Sequence, residues 1–270
     1  MRNIIEIKKL KYSYHNNKIF DGLNLKIKEG EWITITGPNG SGKSTLVRLI
    51  LGILKGQNYI KVDDLELSSE TLMDIRKKIG IVFQNPDNQF IGETVKDDIA
   101  FSLENLGVEP SLIKARVETI SEFLNIEDIL DKEPHLLSGG EKQKVALASA
   151  LIINPKILIL DESLSMIDPY YKKEILKILH KLHKDNHLTI ITITHDLEDT
   201  LLCDRLIIMD KGKIILDGKP IDIFEAEEEV IDQLGLDIPF MVDLSLKLKL
   251  YNLVDKIMIN MNEMVDYLWK

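Results

Sequence analysis

The sequence predicts an α/β fold, in which the strands of a parallel sheet alternate with helices, and three observations support this. A short, apolar and β-branched segment, Trp32–Thr36, runs directly into a glycine-rich loop and is typical of a buried strand. The apolar run Ile157–Leu160 is too short for a helix and suits a strand buried on both faces of a parallel sheet. Apolar residues recur at helical spacing from Leu46 to Ile53 and from Ile113 to Leu124. Such alternation indicates an α/β core.

The first thirty residues predict two strands joined by a turn. Apolar residues dominate from Ile4 to Tyr14, and the polar pair Asn16-Asn17 is typical of a turn. Alternate residues from Leu23 to Ile27 are apolar, which predicts a half-buried second strand that Glu29-Gly30 ends. After the third strand, a helix is expected to begin near Lys43.

The second half of the chain predicts more strands and then a change of character. Thr189–Thr194 is typical of a strand, and Leu206–Asp210 and Lys213–Leu216 are expected to form a hairpin. From about residue 221 the acidic stretch Asp222–Glu229 predicts a helix, which divides the chain into a main domain, 1–220, and a C-terminal extension, 221–270.

The last part of the chain, after Pro239, carries methionines and other apolar residues at helical spacing. They are Met258, Met261, Met264, Val265 and Leu268. Such a stripe belongs either to a core or to an apolar face that meets another subunit.

Composition and charge exclude several classes of protein to which the chain could belong. The chain has 270 residues, 44% hydrophobic and 29% charged, with a net charge of −10 and one cysteine. A disordered chain and an internal disulfide are excluded, and Cys203 is expected to be a buried core residue rather than a reactive thiol. The acidic charge disfavours nucleic acid as a partner. No apolar run is long enough to span a membrane, and the N-terminus lacks the apolar core of a signal peptide, so a cytoplasmic location is expected.

The clearest motif is a phosphate-binding loop with the pattern G-x-x-x-x-G-K-[ST]. Glycines let successive N–H groups point at phosphate oxygens, and the following helix directs its positive end at the same anion. Lys43 adds a charge at the β- and γ-phosphates, and the Ser44 hydroxyl is a ligand for Mg²⁺. A strand precedes the loop and a helix follows it, as the motif requires. The motif comprises Gly37, Pro38, Asn39, Gly40, Ser41, Gly42, Lys43, Ser44 and Thr45.

Two carboxylates end the buried strand Ile157–Leu160. Asp161 is expected to hold Mg²⁺ through water, and Glu162 stands where a carboxylate could orient or deprotonate an attacking water. Taken alone, an apolar strand followed by Asp-Glu is often only a strand that enters a solvated loop. Its position downstream of a phosphate loop favours the functional interpretation.

A second anion-binding terminus is suggested by Ser138, Gly139, Gly140 and Glu141, which open a helix. In isolation, an ordinary N-cap with Ser138 as the capping residue is the better interpretation. A chain with two phosphate-type sites and one catalytic carboxylate, however, suggests a site shared between two chains.

Together these motifs resemble the ATP-binding subunits of ABC transporters over about residues 3–220. Leu137–Glu141 resembles the signature LSGGQ, with Glu141 in place of Gln, and in the family this signature contacts the γ-phosphate of ATP held by the opposite subunit. The resemblance implies a RecA-like P-loop NTPase core with an antiparallel β subdomain, a helical subdomain over about 90–150 and an α-rich C-terminal extension that helps dimerisation.

The same resemblance assigns roles to further residues. Tyr14 matches the aromatic residue that stacks on adenine, with Tyr12 as the alternative. Gln84 matches the Q-loop residue that touches Mg²⁺ and the membrane partner, and Asp168 matches the D-loop. His195 matches the switch histidine near the γ-phosphate, whereas the other five histidines are expected to be structural.

The segments around Gln84–Phe90, Thr94–Phe101 and Leu234–Phe240 are similar to those of energy-coupling factor (ECF) transporter ATPases. This similarity implies an ATPase, dependent on ATP and Mg²⁺, that energises uptake of vitamins or transition-metal ions. The implied partners are a second ATPase subunit, identical or homologous, a transmembrane T component and a substrate-binding S component. The implied location is the cytoplasmic face of the cell membrane. A conventional ABC transporter, a soluble ABC ATPase acting on DNA or ribosomes, and a regulatory nucleotide sensor remain as alternatives.

Overall fold

The fold was obtained as a computed structural model that describes residues 2–165 and 167–269. Its strands and helices follow one another through the whole chain. In chain order they are β1 (Asn3–Tyr14), β2 (Asn17–Lys28), β3 (Trp32–Thr36), α1 (Lys43–Ile50), β4 (Gln57–Val62), β5 (Leu65–Glu66), α2 (Leu72–Arg76), β6 (Ile79–Val82), α3 (Val95–Asn105), α4 (Pro110–Leu124), α5 (Gly139–Leu151), β7 (Ile157–Asp161), α6 (Pro169–Asn186), β8 (Thr189–Ile193), β9 (Arg205–Asp210), β10 (Lys213–Gly218), α7 (Pro220–Ala226), α8 (Glu228–Gln233), α9 (Phe240–Leu250) and α10 (Met261–Leu268).

The strands form two sheets. A four-stranded antiparallel sheet has the order β2-β1-β4-β5, and a six-stranded sheet has the order β10-β9-β3-β8-β7-β6. The pairs β9-β3, β3-β8, β8-β7 and β7-β6 are parallel, and β10 joins the edge as an antiparallel strand. Every residue of β3, β7 and β8 is buried, which explains their uninterrupted apolar and β-branched sequences.

The predicted α/β fold is therefore confirmed, with small shifts at element ends. The first turn lies at His15-Asn16, one residue before the predicted pair, because His15 adopts φ 50°. The helix after the phosphate loop ends at Ile50, so that Ile53 lies beyond it and is exposed. The hairpin at Lys211-Gly212 is present, and both residues have positive φ, as two-residue hairpin turns require.

Three helices, α3 to α5, cover the region where helical spacing was predicted. Thr94 caps α3 through a reciprocal bond with Asp97, and the spacing of Ile113 and Val117 directs both side chains of α4 into the core. The helices pack on one another and α5 also packs on β6. A separate helical subdomain over 90–150 stays a prediction.

The residues after 220 pack in two ways. Phe224 of α7 and Ile231 of α8 join the main core, whereas Met258 and Met264 belong to a small separate cluster with Met241. The apolar stripe of the C-terminal segment is thus divided, because its remaining members are exposed. These are Met261, Val265 and Leu268.

A buried carboxylate connects the two sheets at the edge opposite the phosphate loop. Asp63, in the turn between β4 and β5, accepts hydrogen bonds from Arg2, Lys78 and Lys156. Burial would raise the pKa of this carboxyl, but the bonds from Lys78 and Lys156 outweigh it and lower the pKa of Asp63 to about 2.

Cys203 and His183, which were expected to be structural residues, are both buried. Cys203 is buried, and burial raises the pKa of its thiol to about 11. His183 is buried edge-on against Trp32, with Nε2 3.1 Å from a carboxylate oxygen of Asp204. Among the described residues, no helix has both the length and the apolar character needed to cross a bilayer.

Candidate active site

The phosphate loop joins the carboxyl end of β3 to α1. Lys43 is buried, and its Nζ donates to the carbonyl oxygens of Gly37 (2.7 Å) and Pro38 (3.1 Å), which closes the loop around the ammonium group. Burial lowers the pKa of Lys43, and the carboxylates of Glu162 and Asp161 oppose that shift. The loop thus holds a desolvated cation beside the N-terminus of a helix, where anions are favoured.

The hairpin of β9 and β10 supports the loop from behind. Gly37 has φ 141°, and a Cβ there would lie 2.0 Å from the carbonyl oxygen of Met209, so only glycine fits. Gly212 in the hairpin turn donates its N–H to the Ser41 carbonyl oxygen at 2.9 Å. The loop is therefore held in shape by a segment far along the chain.

Ser44 and Asp161 meet beside the loop. Ser44 Oγ donates to Asp161 Oδ1 at 3.2 Å, and burial raises the pKa of Asp161 although this hydrogen bond opposes the shift. A hydroxyl and a carboxylate oxygen at this separation are the hard oxygen ligands that Mg²⁺ prefers. The pair predicted to hold the metal ion is thus brought together by the adjacency of α1 and β7.

Glu162 lies directly after β7 in a rare backbone conformation. Its φ is 51°, in the left-handed region, and it is held there by its own N–H bond to Ile193 O (2.9 Å) and by Ser165 Oγ, which donates to Glu162 O (2.7 Å). The half-buried carboxylate accepts a 3.0 Å hydrogen bond from Gln84 Nε2. Two residues that lie 78 positions apart in sequence are therefore in direct contact.

His195 follows β8, which is the next strand beside β7. Its imidazole is exposed, while Thr194 before it and Leu197 after it are buried. Since β3, β6, β7 and β8 end at the same edge of the sheet, the loops that carry Lys43, Gln84, Glu162 and His195 all emerge there.

The two candidate adenine-stacking residues differ in their surroundings. Tyr12 packs against the core beneath the four-stranded sheet, and Tyr14 meets it edge-on with ring centroids 5.0 Å apart. Tyr14 lies in the last position of β1, next to the exposed turn, which favours it over Tyr12 as the residue available to a ligand.

The signature segment forms a reciprocal helix cap. Ser138 accepts from the N–H of Glu141, and Glu141 Oε2 accepts from both the N–H (2.8 Å) and the Oγ (2.7 Å) of Ser138. These bonds lower the pKa of Glu141. The N-cap interpretation is thus confirmed, and the phosphate-binding role stays a prediction. Among the described residues, no hydrogen bond joins this segment to the phosphate loop.

The D-loop segment also forms a helix start. Asp168 caps α6, with Oδ1 accepting from the N–H of Tyr170 at 2.8 Å. Met166, in the middle of that segment, lies outside the described residues. Like Ser138, Asp168 is exposed and makes no hydrogen bond to the phosphate loop in the described part of the chain.

One supporting residue was missed by the sequence interpretation. Gln89 donates from Nε2 to Ile81 O (3.1 Å) and accepts from the N–H of Phe83 (3.3 Å), so that it folds the loop after Gln84 back onto β6. A second glutamine five residues after Gln84 was the signal that could have found it.

Replacing Gly140 by Ala is expected to destabilise the fold. A Cβ at Gly140 would lie 2.3 Å from Cγ of Tyr171, at the base of the ring, so the ring or the helix must move. Overpacking of this kind costs about 1–3 kcal/mol of unfolding free energy. Gly139→Ala is the matched control, because its Cβ would point into open space. Urea unfolding that gave both variants the same stability would contradict this packing.

The sequence and the fold of this chain are similar to those of known proteins. Residues 20–165 match the family model described as ABC transporter. A curated relative, the energy-coupling factor transporter ATP-binding protein EcfA1 of Ligilactobacillus salivarius, is 50% identical over 88% of this chain and 85% of its own length.

Two solved structures are also similar. The cbiO1 protein of Clostridium perfringens, described as part of the ABC transporter complex cbiONQ, has a TM-score of 0.77 and 39% identity, covering 88% of this chain and 97% of its own. An ATP-binding cassette solved as a dimer in a post-hydrolysis state with ADP and Pi has a TM-score of 0.73 and 28% identity, covering 80% of this chain and 98% of its own.

Proposed function

The chain belongs to the ABC transporter family, among the energy-coupling factor transporter ATP-binding proteins, and from that membership we propose how its site works. It is an ATP-hydrolysing subunit that energises an importer of the ECF type. The observation that carries the proposal is the pair of contacts at one edge of the sheet, Ser44 with Asp161 and Gln84 with Glu162. Ser44 and Asp161 lie beside the phosphate loop. Gln84 holds the carboxylate of Glu162 next to that first pair.

Each residue of this group has a distinct task in hydrolysis. Lys43 and the loop N–H groups bind the β- and γ-phosphates, and Glu162 orients the attacking water or accepts its proton. Ser44, Asp161 and Gln84 would hold Mg²⁺, which neutralises charge on the phosphates when bound. His195 faces the γ-phosphate region, and Tyr14 stacks on adenine. Catalysis is then mostly positioning and charge stabilisation.

Two ATP molecules are shared between two such subunits. Ser138, Gly139, Gly140 and Glu141 of one subunit act on the ATP held by the other, and Asp168 lies at the same junction. This arrangement accounts for two observations: Ser138 and Asp168 are exposed and cap their own helices, and neither makes a hydrogen bond to the phosphate loop in the described part of the chain. ATP closes the dimer, and loss of the γ-phosphate reopens it.

The C-terminal extension contributes to the same dimer. Beside the small cluster around Met258, the extension exposes large apolar side chains, which a second subunit would cover. They are Phe240, Leu250, Tyr251, Leu253, Met261, Val265, Leu268 and Trp269.

An apolar groove beside the Gln84 loop is the docking site for the transmembrane T component. The groove encloses about 370 Å³, and exposed Met73, Ile91, Phe101 and Leu106 line it. Gln89 also lines it, and the same side chain anchors the loop after Gln84. When a helix of the T component moves in this groove, Gln89 transmits the movement to Gln84, which contacts Glu162. The protein lies peripherally on the cytoplasmic face of the membrane, and substrate is selected by the S component.

A pull-down of the tagged protein in mild detergent, followed by mass spectrometry, tests this assignment. We expect to recover a polytopic T-like protein, a second ATPase or further copies of this chain, and one or more small membrane proteins. Recovery of a conventional permease alone would remove the ECF assignment but keep the ABC transporter. Ribosomal or DNA-repair proteins, with nothing from the membrane, would overturn the transport function.

A further inference from the structure

We propose that Lys172 is a positioning residue for ATP hydrolysis, which holds the loop that carries His195 against helix α6. The proposal rests on the function proposed above and adds a residue that neither the phosphate loop nor the motifs contain. Lys172 lies one turn into α6.

Lys172 makes two short ion pairs to the loop after β8. Its Nζ lies 2.7 Å from Asp196 Oδ2 and 2.6 Å from Asp199 Oδ1. Asp199 is almost completely buried, and burial raises the pKa of its carboxyl. A buried carboxylate needs a paired cation to stay charged, and Lys172 supplies it.

The ion pairs continue into hydrogen bonds on both sides of His195. Thr194 Oγ1 donates to Asp199 Oδ2 (3.2 Å), and the N–H of Asp196 donates to Thr194 Oγ1 (3.0 Å). The residues immediately before and after His195 are therefore fixed, while the imidazole itself remains exposed. Such an arrangement orients the His195 side chain through its neighbours and leaves the imidazole nitrogens available to a ligand.

The same lysine connects His195 to the D-loop. The backbone N–H of Lys172 donates to Asp168 O at 3.0 Å, and Asp168 is the capping residue of α6. A shift of Asp168 at the subunit junction would carry Lys172 and hence the His195 loop with it. Lys172 thus couples the junction to the γ-phosphate region within a single helical turn.

The test uses the ATPase assembled with its membrane partners and compares Lys172→Met with Lys173→Met. Lys173 is the neighbouring, exposed lysine of α6 and is the matched control. We expect Lys172→Met to lower kcat at least about tenfold with less than a twofold change in KM, because nucleotide binding by the phosphate loop is intact. Lys172→Arg should restore most of the activity, and Lys173→Met should match the unaltered protein.

A double variant separates positioning from a general loss of structure. If Lys172 acts through His195, then Lys172→Met should cost less than twofold when added to His195→Ala. A full additional tenfold loss in that background, failure of Lys172→Arg to restore turnover, or unchanged kcat in Lys172→Met would each overturn the proposal. If Lys172→Met does not fold, Asp196→Asn replaces it, since that carboxylate is partly exposed and its loss leaves Asp199 paired. Absence of hydrolysis by the unaltered complex would instead refute the proposed function.

Discussion

Glu162→Gln is expected to keep ATP bound and to reduce its hydrolysis by at least about 100-fold, the effect of removing a general base. The amide keeps the size of the side chain and can still contact Gln84, so the left-handed backbone at residue 162 need not change. It cannot accept a proton from water. Phosphate release by the assembled complex measures turnover, and retention of radiolabelled ATP measures binding. ATP should also trap the variant as a closed dimer.

Glu122→Gln is the matched control for this prediction. Glu122 is an exposed carboxylate on α4, and the same chemical change there should leave turnover unaltered. Normal turnover by Glu162→Gln would remove Glu162 from its proposed role. Loss of both binding and turnover would show instead that the carboxylate supports the shape of the site.

Lys43→Ala is expected to weaken ATP binding by about 10- to 100-fold and to abolish measurable hydrolysis. A hydrogen bond to a charged group is worth about 1.5–3 kcal/mol, and each 1.4 kcal/mol is a factor of ten in affinity. Lys43 Nζ donates to the carbonyl oxygens of Gly37 and Pro38. These bonds hold the ammonium group inside the loop, where it can meet the phosphates. Isothermal titration with MgATP measures the change in affinity.

Lys55→Ala provides the comparison for Lys43→Ala, because Lys55 is exposed and lies just beyond α1. Its affinity for ATP should equal that of the unaltered protein. Equal affinity in Lys43→Ala would mean that the loop N–H groups and the helix terminus bind the phosphates without the lysine. That result would contradict the role assigned to the buried cation.

Local patterns in the sequence were sufficient for much of the fold. The segment Trp32–Thr36 forms β3 with the predicted bounds, because a β-branched run between charged residues and a glycine has few other structures open to it. The turn at Lys211-Gly212 was likewise predictable, since two flanking apolar runs needed a two-residue connection. The acidic stretch was less well predicted. It forms two helices, α7 and α8, because Glu227 leaves the helical region (φ −128°, ψ 29°), and no proline or glycine marks that break.

The site was predicted as a set of residues but not as a set of contacts. That Ser44 touches Asp161 depends on which strands are neighbours in the sheet, and periodicity along the chain carries no information about strand order. Lys172 was missed for the same reason, because its ion pairs to Asp196 and Asp199 cross between α6 and the loop after β8. The sequence offered one signal for these ion pairs: the acidic residues Asp196 and Asp199 follow His195 closely and need a cation as partner.

The support of the phosphate loop by the hairpin of β9 and β10 has a consequence for how the protein is made. When a ribosome has synthesised residues 37–45, the chain that binds phosphate is complete, but the strands on both sides of β3 and the turn that bonds to Ser41 do not yet exist. Contacts between segments so distant in sequence form late. A nascent chain therefore completes the packing around its phosphate loop only after residues 189–218 have emerged, when the main sheet is nearly finished.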